Sequence, residues 1–550
     1  MTVALDYLHA TAPEALGISV AVDDLLKAWF RHGTAQTFIC RPANLPSFAH
    51  FQDVAAAAGI DRARTIGLDP RTPEHNLKDI TCLFRPDPAL AEAVWRRQQL
   101  DGRGYVACGL VHSLSGEQVS RAVTELCLAP TDSTDALICP SAAIRDAVRN
   151  LWDIHADYLN HRFGGAFHCP VQTPVIPLGI DTAKFAARAT PEKRHAQRQA
   201  LNVADDEIVI LFTGRLSFAT KAHPLPLLLA AERAAQRTKR KLRLVLHGYF
   251  KPQADMEPRF RALAQDVCQT VRCDFVLHDD PRFPEGLWAG ADVFTSLVDN
   301  VQESFGLTPI EAMACGLPAV VTDWDGYREG VRHGQDGFLI PTLAPPAEAG
   351  HALATHYFNE PNYGAYLVAA AQSTAVDIDA AATAFVTLAD DGALRQSMGQ
   401  SGQRRAAATY DWRVIIPAYE ALWQSLNEQR RRDKPAPALP PNWPAAHPAF
   451  PNPWAVFGGF PAATLAPGDT LRVVMTAEEI SLILKHDMNL FIPELLLPPA
   501  SLRALAEGIR NAGSVRLQDL LAASPPSGRA RLWRCVGWML KHGVCAREAT

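Results

Sequence analysis

The stretch Glu303-Ser-Phe-Gly-Leu-Thr-Pro-Ile-Glu311-Ala-Met-Ala-Cys-Gly-Leu-Pro318 holds the signals that decide how this part of the chain folds. It follows the apolar run Asp292–Leu297, so a predicted strand ends just before it. Thr308 suits an N-cap, Pro309 suits the first helical position, and Glu311 stands three residues after Thr308, which is the pattern of a capping box. A glycine and a proline then end the helix. The pattern predicts a short helix whose free N–H groups can bind phosphate or sugar oxygens.

Apolar runs alternate with amphipathic helical stretches on both sides of this segment, which is typical of parallel α/β units. The later part of the chain has six runs: Ile208–Thr213, Arg243–His247, Cys273–His278, Asp292–Leu297, Ala319–Thr322 and Gly337–Ile340. The earlier part has another six: Val3–Leu8, Gln36–Cys40, Ile80–Phe84, Tyr105–His112, Ala136–Cys139 and Val175–Leu178. We therefore predict an α/β fold with two doubly wound, Rossmann-like domains whose strand ends face a cleft.

The boundaries follow from changes in composition along the chain. We assign residues 1–180 to the first Rossmann-like domain and 181–428 to the second, which ends in an amphipathic helix at 410–427. Nine prolines within 429–465 predict an extended linker without regular helix. Residues 466–550 show mainly helical patterns, and their spacing suggests a small C-terminal domain of winged-helix type.

Composition excludes several classes of protein. The chain has 550 residues, of which 48% are hydrophobic and 20% charged, an ordinary globular balance. The formal net charge of −5 argues against a basic protein that coats polyphosphate. No apolar run approaches the roughly 18 to 20 residues of a membrane-spanning helix, and the first cationic residue is Lys27, so we expect no signal peptide. We expect a cytoplasmic protein, with a peripheral position at the inner membrane face as the alternative.

The 11 cysteines include no CxxC pair and no spacing typical of a zinc site, so we expect them to be reduced and expect no bound metal.

The segment Glu303–Pro318, together with Ala319–Glu329 and His333–Pro341, resembles the E-x7-E signature region of the retaining glycosyltransferases of family 4. The resemblance extends over Gly214–Thr342 and implies the GT-B fold. It also implies roles for the two glutamates: Glu303 would contact hydroxyls of the donor sugar, and Glu311 would bind both ribose hydroxyls of the nucleotide. A carboxylate suits both tasks because it can accept two hydroxyl hydrogen bonds. From local chemistry alone, Glu311 can equally be a capping residue.

The resemblance implies further contacts with the donor. Main-chain N–H groups of Phe305, Gly306 and Leu307 would lie along the sugar and phosphate, and Gly306 would permit close approach of the backbone. Arg215 and Lys221 match a basic pair that binds the donor diphosphate, whose leaving charge two fixed cations can stabilise without a metal. The alternative is a solvated arginine and lysine at a helix start, and Lys221-Ala222 departs from the common Lys-Gly.

Two residues of the first domain are weaker candidates. His112 follows an apolar run and resembles a histidine that reaches the donor sugar across the cleft, although a satisfied histidine at a strand end is the alternative. Gly17 is the available glycine where many relatives have a Gly-Gly turn near the donor phosphate, and an ordinary turn glycine is its alternative. Asp323-Trp-Asp325 matches the three-residue DxD metal motif, but we assign these acids to a loop that flanks the donor sugar.

The resemblance implies a retaining, metal-independent hexosyltransferase without a cofactor. It would move a sugar from a UDP- or GDP-linked donor to a hydroxyl of a glycan, lipid-linked sugar, protein or small molecule. One alternative is a sugar-nucleotide hydrolase or epimerase on the same fold, and another is a non-catalytic scaffold that acts through its C-terminal extension. A glycosidase is disfavoured because the paired carboxylates come with a diphosphate-binding pair. We expect residues 466–550 to contact a protein partner or to position the acceptor, with a purely structural cap as the alternative, and we do not expect them to bind nucleic acid.

Overall fold

The computed structural model describes residues 2–7, 17–69, 77, 79–98, 100, 104–250, 255–433, 447–450, 452–490 and 492–548. The chain forms two compact units, Met1–His447 and Pro448–Thr550. Among the described residues, no helix is both long enough and apolar enough to cross a membrane.

Six parallel strands form the first sheet of the larger unit, in the order β3-β2-β1-β4-β5-β6. They are β1 (Val3–Tyr7), β2 (Phe38–Pro42), β3 (Thr65–Gly67), β4 (Cys82–Arg85), β5 (Val106–Leu110) and β6 (Ala136–Ile138). The helices of this region are α1 (Gly17–His32), α2 (Leu45–Ala57), α3 (Ala91–Gln98), α4 (Glu117–Glu125) and α5 (Ala142–Phe163). Strands β1, β4, β5 and β6 are buried along their whole length because helices cover a parallel sheet on both faces.

The first sheet differs from the sequence prediction at two strands. The short strand β3 was not predicted, because only Thr65 of its three residues is buried and no apolar run marks it. The predicted run Val175–Leu178 forms no strand, and Val175 makes only an isolated bridge with Cys139.

The second sheet is also parallel and six-stranded, in the order β12-β11-β10-β7-β8-β9. Its strands are β7 (Glu207–Arg215), β8 (Lys241–Tyr249), β9 (Arg272–Leu277), β10 (Val293–Ser296), β11 (Ala319–Thr322) and β12 (Gly337–Ile340). Every run that the sequence predicted for this sheet forms a strand, because each is strongly apolar and bounded by turn residues.

Helices and one strand pair complete the region around the second sheet. The helices are α6 (Thr182–Ala186), α7 (Pro191–Ala200), α8 (Pro224–Arg237), α9 (Met256–Val267), α10 (Leu307–Ala314), α11 (Tyr327–Gly330), α12 (His351–Asn359), α13 (Tyr363–Ala371), α14 (Ile378–Asp390), α15 (Gly392–Arg405) and α16 (Trp412–Arg432). An antiparallel pair joins β13 (Thr342–Leu343) to β14 (Ala375–Val376).

Both six-stranded sheets have the doubly wound order in which the chain changes direction between the first and fourth strands. In the second sheet this switch point lies between β7 and β10. Ligands of open α/β sheets bind beyond the strand carboxyl ends at such a point. Strand β7 ends at Arg215, and the loop after β10 carries Glu303. The topology therefore brings these two charged residues to one crevice.

The chain returns to the first sheet through α16. The N–H of Ile180 donates to Tyr410 O at 2.8 Å where the two crossing segments meet. Helix α16 then packs Tyr419 and Trp423 against Phe84 of β4, with ring centroids 5.8 and 5.2 Å apart. These buried aromatic contacts hold the end of the larger unit on its first sheet.

The smaller unit is mainly helical, as predicted, but it also contains a three-stranded antiparallel sheet that the sequence did not predict. Its strands are β15 (Thr470–Val473), β16 (Val515–Arg516) and β17 (Cys545–Glu548), and its helices are α17 (Pro453–Val456), α18 (Ala477–Ile483), α19 (Pro499–Asn511), α20 (Leu517–Ala523) and α21 (Pro526–Lys541). The core contains Ile480, Leu502, Ile509 and Trp538.

One turn of helix lies inside the proline-rich stretch, where no regular helix was expected. Asn452 caps α17 by accepting a hydrogen bond from the N–H of Trp454 at 3.0 Å, and Pro453 occupies the first helical position. Proline is tolerated there because its missing N–H would have no partner within the helix. Residues 434–446 and 451 of the predicted linker lie outside the described residues.

Candidate active site

A buried ion pair lies beyond the carboxyl ends of β7 and β10. The Lys221 ammonium nitrogen lies 2.5 Å from Glu303 Oε2, and the Tyr327 hydroxyl lies 3.4 Å from both groups. The Ser296 hydroxyl, at the end of β10, lies 3.0 Å from the Tyr327 hydroxyl. An ammonium has three N–H donors, and Glu303 and Tyr327 occupy two of them. Lys221 can therefore donate one further hydrogen bond to an anion.

Burial and ion pairing shift the pKa values of Lys221 and Glu303 in opposite directions. Burial alone would lower the pKa of Lys221, but the Glu303 carboxylate raises it above its ordinary value. Burial alone would raise the pKa of Glu303, but the charge and hydrogen bond of Lys221 lower it. Burial raises the pKa of Tyr327 to about 12. At neutral pH the site therefore holds an ammonium, a carboxylate and a neutral phenol.

Arg215 supplies a second cation at the same edge of the sheet. It ends β7, and an ideal Cβ on the neighbouring Gly214 would lie 3.6 Å from Lys221 Cε, so the lysine side chain passes over this turn. The Nε of Arg215 is buried and has no hydrogen-bond partner within the described protein. A buried donor without a partner is costly, and an anionic ligand would satisfy it.

Buried polar atoms that have no hydrogen-bond partner among the described residues recur in the loop from 299 to 308. They are Asp299 Oδ1, Gln302 Oε1 and Thr308 Oγ1. Burial raises the pKa of Asp299 to about 7. Since buried polar groups are normally hydrogen-bonded, such a concentration is typical of a site that binds a polar ligand.

Helix α10 begins earlier than the sequence predicted. Its first residue is Leu307 and its N-cap is Gly306, with φ of 88°, and no side chain caps it. The predicted capping box of Thr308 and Glu311 is therefore wrong. The preference of Thr308 for the cap is overridden because Gly306 packs directly on the Tyr327 ring, where an ideal Cβ would lie 1.9 Å from Cε1. The first N–H groups of the helix have no side-chain cap, so they remain available as donors to an anion.

Glu311 consequently has no capping role. Burial raises the pKa of its carboxyl to about 7, while the Arg188 charge acts to lower it. A buried carboxyl with this pKa can ionise when hydroxyl donors approach it, because hydrogen bonding to the charged form stabilises that form.

The predicted backbone donors lie between the two glutamates. Phe305 is buried and packs edge-on against Tyr410, with ring centroids 5.9 Å apart, so its side chain belongs to the core. Together with Gly306 and Leu307 it forms the turn from the Glu303 loop into α10.

His112 reaches the same loop from the first sheet. It stands two residues after β5, and its carbonyl oxygen accepts a hydrogen bond from the Ser304 hydroxyl. The ring Nε2 lies 3.0 Å from Pro86 O, and burial lowers the pKa of the imidazole, so His112 is neutral at pH 7. Gly17 is the first residue of α1, and the segment 8–16 before it lies outside the described residues.

Two carboxylates after β11 join the start of α5 to the second sheet. The Ser141 hydroxyl, which caps α5, lies 3.1 Å from Asp325 Oδ1 and 3.0 Å from Ser304 O. The N–H of Ala142 donates to Glu329 Oε1 at 2.6 Å. Both carboxylates lie near the positive end of the α5 dipole, which favours negative charge. The two sheets are thus held together next to Glu303.

The acids of the Asp323-Trp-Asp325 stretch contact protein groups. Asp323 Oδ1 lies 3.1 Å from Arg328 Nε, and Asp325 accepts from Ser141. Among the described residues, no group of three or more His, Cys, Asp or Glu side chains is arranged to hold a metal ion.

Sequence reasoning missed Tyr327 and Ser141 as residues of this site, and it assigned Asp325 to a loop that flanks the donor sugar without predicting its contact with Ser141. Tyr327 stands in the string that carries the resemblance, but its contact with Lys221 depends on packing against Gly306. Ser141 and Asp325 are 184 residues apart, and no local pattern joins them. A helix N-cap after a strand of the first sheet was the one signal that could have pointed to Ser141.

The part of the chain that carries this site is similar to known proteins. Residues 193–363 match the family model described as Glycosyl transferases group 1. The D-inositol 3-phosphate glycosyltransferase of Geodermatophilus obscurus is 29% identical over 281 residues, which cover 50% of this chain and 53% of that protein. The enzyme of the same name from Jonesia denitrificans is 27% identical over 366 residues, which cover 61% of this chain and 82% of that protein. The chain thus spans about half the length of the Geodermatophilus relative.

A solved structure shows the same fold. Anabaena Alr3699/HepE in complex with UDP superimposes with a TM-score of 0.52 at 17% identity and covers 77% of this chain and 100% of that protein. The fold is GT-B, and the resemblance to family 4 glycosyltransferases is confirmed.

Proposed function

We propose that this chain is a retaining, metal-independent glycosyltransferase that moves a sugar from a UDP- or GDP-linked donor to an acceptor hydroxyl. The observation that carries the proposal is the largely buried Lys221–Glu303 pair at the switch point of the second sheet, where β7 ends in the cation Arg215. Two cations and a carboxylate in one crevice suit a ligand that has both phosphate charge and hydroxyl groups. The donor would lie mainly on residues 181–428 and the acceptor mainly on residues 1–180.

The diphosphate would bind to three kinds of donor. Lys221 has one N–H left after Glu303 and Tyr327, and the buried Nε of Arg215 has no partner. The uncapped start of α10 adds backbone N–H groups with a positive dipole. Negative charge grows on the diphosphate as it leaves, and fixed cations stabilise that charge more in the transition state than in the ground state.

The two glutamates would hold the two ends of the donor. Glu303 is kept ionised by Lys221 and retains acceptor capacity for sugar hydroxyls. Glu311 lies in the first turns of α10, where ribose hydroxyls would donate hydrogen bonds to its carboxyl and stabilise the charged form.

The reaction would proceed by attack on the face from which the leaving group departs. The acceptor oxygen forms a bond to the anomeric carbon while the bond from that carbon to the diphosphate oxygen breaks. The acceptor proton passes to the departing diphosphate oxygen, so the products are a glycoside of unchanged anomeric configuration and a nucleoside diphosphate. No side chain of the site is assigned as a nucleophile, because Glu303 is held by the cation that the diphosphate needs.

UDP-linked donors are the first to test, since the Anabaena structure contains UDP. The relatives named D-inositol 3-phosphate glycosyltransferase suggest a polyol or sugar hydroxyl as acceptor. Hydrolysis or epimerisation on the same fold is the alternative, because water can enter a site whose acceptor is absent.

Proton NMR of the purified protein with UDP-glucose and GDP-mannose, with and without EDTA, tests the proposal. We expect slow release of nucleoside diphosphate from one donor, with a free sugar that first appears as the α anomer, and we expect EDTA to leave the rate unchanged. First appearance of the β anomer would contradict retention. Loss of release in EDTA would contradict metal independence, and a C2 or C4 epimer would favour the epimerase alternative.

A further inference from the structure

An open recess of about 360 Å³ lies beside Glu303, between the first sheet and the second. Its volume falls within the range of small-molecule sites, about 300 to 1,000 Å³. The walls from the first sheet come from the loop after β5 and the first turns of α5. Those from the second come from the Glu303 loop, the loop after β11, and α13. Besides Glu303, the recess is lined by Leu114, Ile144, Trp324, Asp325, Arg328 and Tyr366.

The recess differs chemically from the proposed diphosphate site at Lys221 and Arg215, neither of which lines it. Its lining is mostly apolar or aromatic, with two carboxylates, Glu303 and Asp325, and one cation, Arg328. Arg328 is half exposed and already paired with Asp323 at 3.1 Å. The described lining therefore offers no unpaired cation to a phosphate, whereas Arg215 and Lys221 lie on the donor side. A ligand here meets aromatic surface and hydrogen-bond acceptors.

Asp325 occupies an unusual backbone conformation in this wall. Its φ is 46°, in the left-handed region that favours glycine. Aspartate tolerates that region better than most residues, yet glycine would fit there without strain. Its carboxyl is largely buried and accepts hydrogen bonds from the Ser141 hydroxyl and the Gly326 backbone, and no cation pairs with it among the described residues. A buried carboxylate kept in a strained position without a cation suggests that its oxygens bind something outside the protein.

The position of the recess connects it to the reaction. Glu303 belongs both to the recess and to the Lys221 pair, so a ligand in the recess lies next to the place proposed for the donor sugar. The recess is bounded by residues of both sheets, which the contacts of Ser141 and Ala142 hold in place. A hydroxyl that points from the recess toward Glu303 would face the anomeric carbon of the donor.

We propose that this recess is the acceptor subsite, that it takes an uncharged sugar, and that Asp325 accepts a hydrogen bond from the acceptor hydroxyl. The inference rests on the proposed glycosyltransferase function. An uncharged pyranose presents an apolar C–H face to Trp324 and Tyr366 and its hydroxyls to Asp325 and Glu303. A phosphorylated polyol would place its charge against two carboxylates. The acceptor class therefore differs from the phosphate-bearing acceptor that the names of the relatives indicate.

Saturation-transfer NMR on the full chain with saturating UDP tests this assignment. The probes are methyl α-D-glucopyranoside and methyl α-D-mannopyranoside at millimolar concentration, each against glucose 6-phosphate and inositol 1-phosphate. The variants are Asp325→Asn and Trp324→Leu. Asparagine keeps an oxygen for Ser141 and tolerates the same φ, but its amide nitrogen donates where the second carboxylate oxygen accepted. Glu329→Gln is the matched control, because Glu329 also contacts the start of α5 but does not line the recess.

We expect saturation transfer to at least one uncharged glycoside, weak or no transfer to the phosphorylated probes, and at least a tenfold loss of affinity in Asp325→Asn and Trp324→Leu. Glu329→Gln should keep the affinity of the wild type. Preference for the phosphorylated probes, absence of transfer to any uncharged glycoside, or unchanged binding by Asp325→Asn would each overturn the inference. UDP binding, measured by calorimetry on every variant, shows that each folds. Failure of the wild type to bind UDP or GDP would instead count against the proposed function.

Discussion

The Lys221 ammonium nitrogen lies 2.5 Å from Glu303 Oε2, although the two residues stand in loops that follow different strands. Strands β7 and β10 are parallel neighbours, so their carboxyl ends meet at one edge of the sheet. The side chains of Lys221 and Glu303 are only 15% and 14% exposed. Each charge therefore depends on the other for its stability, and this mutual dependence can be measured.

Removal of Lys221 alone should destabilise the protein more than removal of the whole pair. Lys221→Met leaves the Glu303 carboxylate buried without a cation, and breaking a buried ion pair in this way costs about 3 kcal/mol. Lys221→Met with Glu303→Gln removes both charges and should recover most of that loss. Urea unfolding of the wild type, the single variant and the double variant measures the three free energies of unfolding. Equal stability of the single and double variants would mean that the pair is solvated.

Gly306→Ala should be more destabilising than an alanine at another left-handed glycine. Gly306 has φ of 88° and an ideal Cβ 1.9 Å from the Tyr327 ring, whereas Gly334 has φ of 75° and open space. Backbone strain costs each variant about 1 kcal/mol, and overpacking should cost Gly306→Ala about 2 kcal/mol more.

Chemical denaturation measures the loss of stability in Gly306→Ala and in Gly334→Ala. Because both variants have the backbone strain, the difference between the two losses gives the cost of overpacking against Tyr327. The Gly306 variant should also bind UDP more weakly, since the displaced Tyr327 contacts Lys221 and Glu303. Equal losses of stability in the two variants would show that the Tyr327 ring moves aside freely.

Affinity for a nucleotide sugar should fall below pH 7. Burial raises the pKa of Glu311 to about 7, and the ionised carboxylate is the form that accepts two ribose hydroxyls. Binding then releases a proton, so the dissociation constant rises as pH falls, approaching about tenfold per unit. UDP-glucose suits the titration because its diphosphate has no group that ionises near pH 7. Calorimetry on Glu311→Gln should give weaker binding that depends less on pH. If the pH dependence of the dissociation constant is unchanged in this variant, a group other than Glu311 causes it.

Asp325→Asn should stabilise the protein at pH 8 more than at pH 5. Burial first, and then the nearby Glu303 charge, raises the pKa of Asp325 to about 7, against about 3.9 in the unfolded chain. Between those values the folded state holds the proton more tightly, so the stability of the wild type falls as pH rises through this range. Asparagine has no such dependence. Thermal unfolding of both proteins at the two pH values measures the difference, and a gain that is larger at pH 5 would contradict the raised pKa.

The strands of the second sheet could be predicted from sequence because strongly apolar runs bounded by turns leave few alternatives. Strand β3 could not, since a strand with one buried residue has no periodicity. The strands of the smaller unit were missed for a similar reason, because β16 has two residues and continues directly into α20.

The residues of the proposed donor site could be named because they lie within one continuous motif and the loop after β7. The start of α10 was misplaced because tertiary packing of Gly306 on Tyr327 outweighs the local preference of Thr308 for the cap. The contact between Asp325 and Ser141 was missed because it joins the regions of two sheets that are 184 residues apart in the chain. Local sequence signals thus pointed to the residues of the proposed donor site but not to the contacts between the two sheets.

Calorimetric titration with UDP, GDP, ADP and dTDP, on the wild type and on Glu311→Ala, tests the central claim most directly. The account predicts that one nucleoside diphosphate binds with a stoichiometry of one and that EDTA does not change its affinity. It also predicts that Glu311→Ala weakens that affinity at least about tenfold, the loss of one charged hydrogen-bonding group. Absence of binding by all four nucleotides, or equal affinity in Glu311→Ala, would contradict a nucleotide-sugar site at the start of α10.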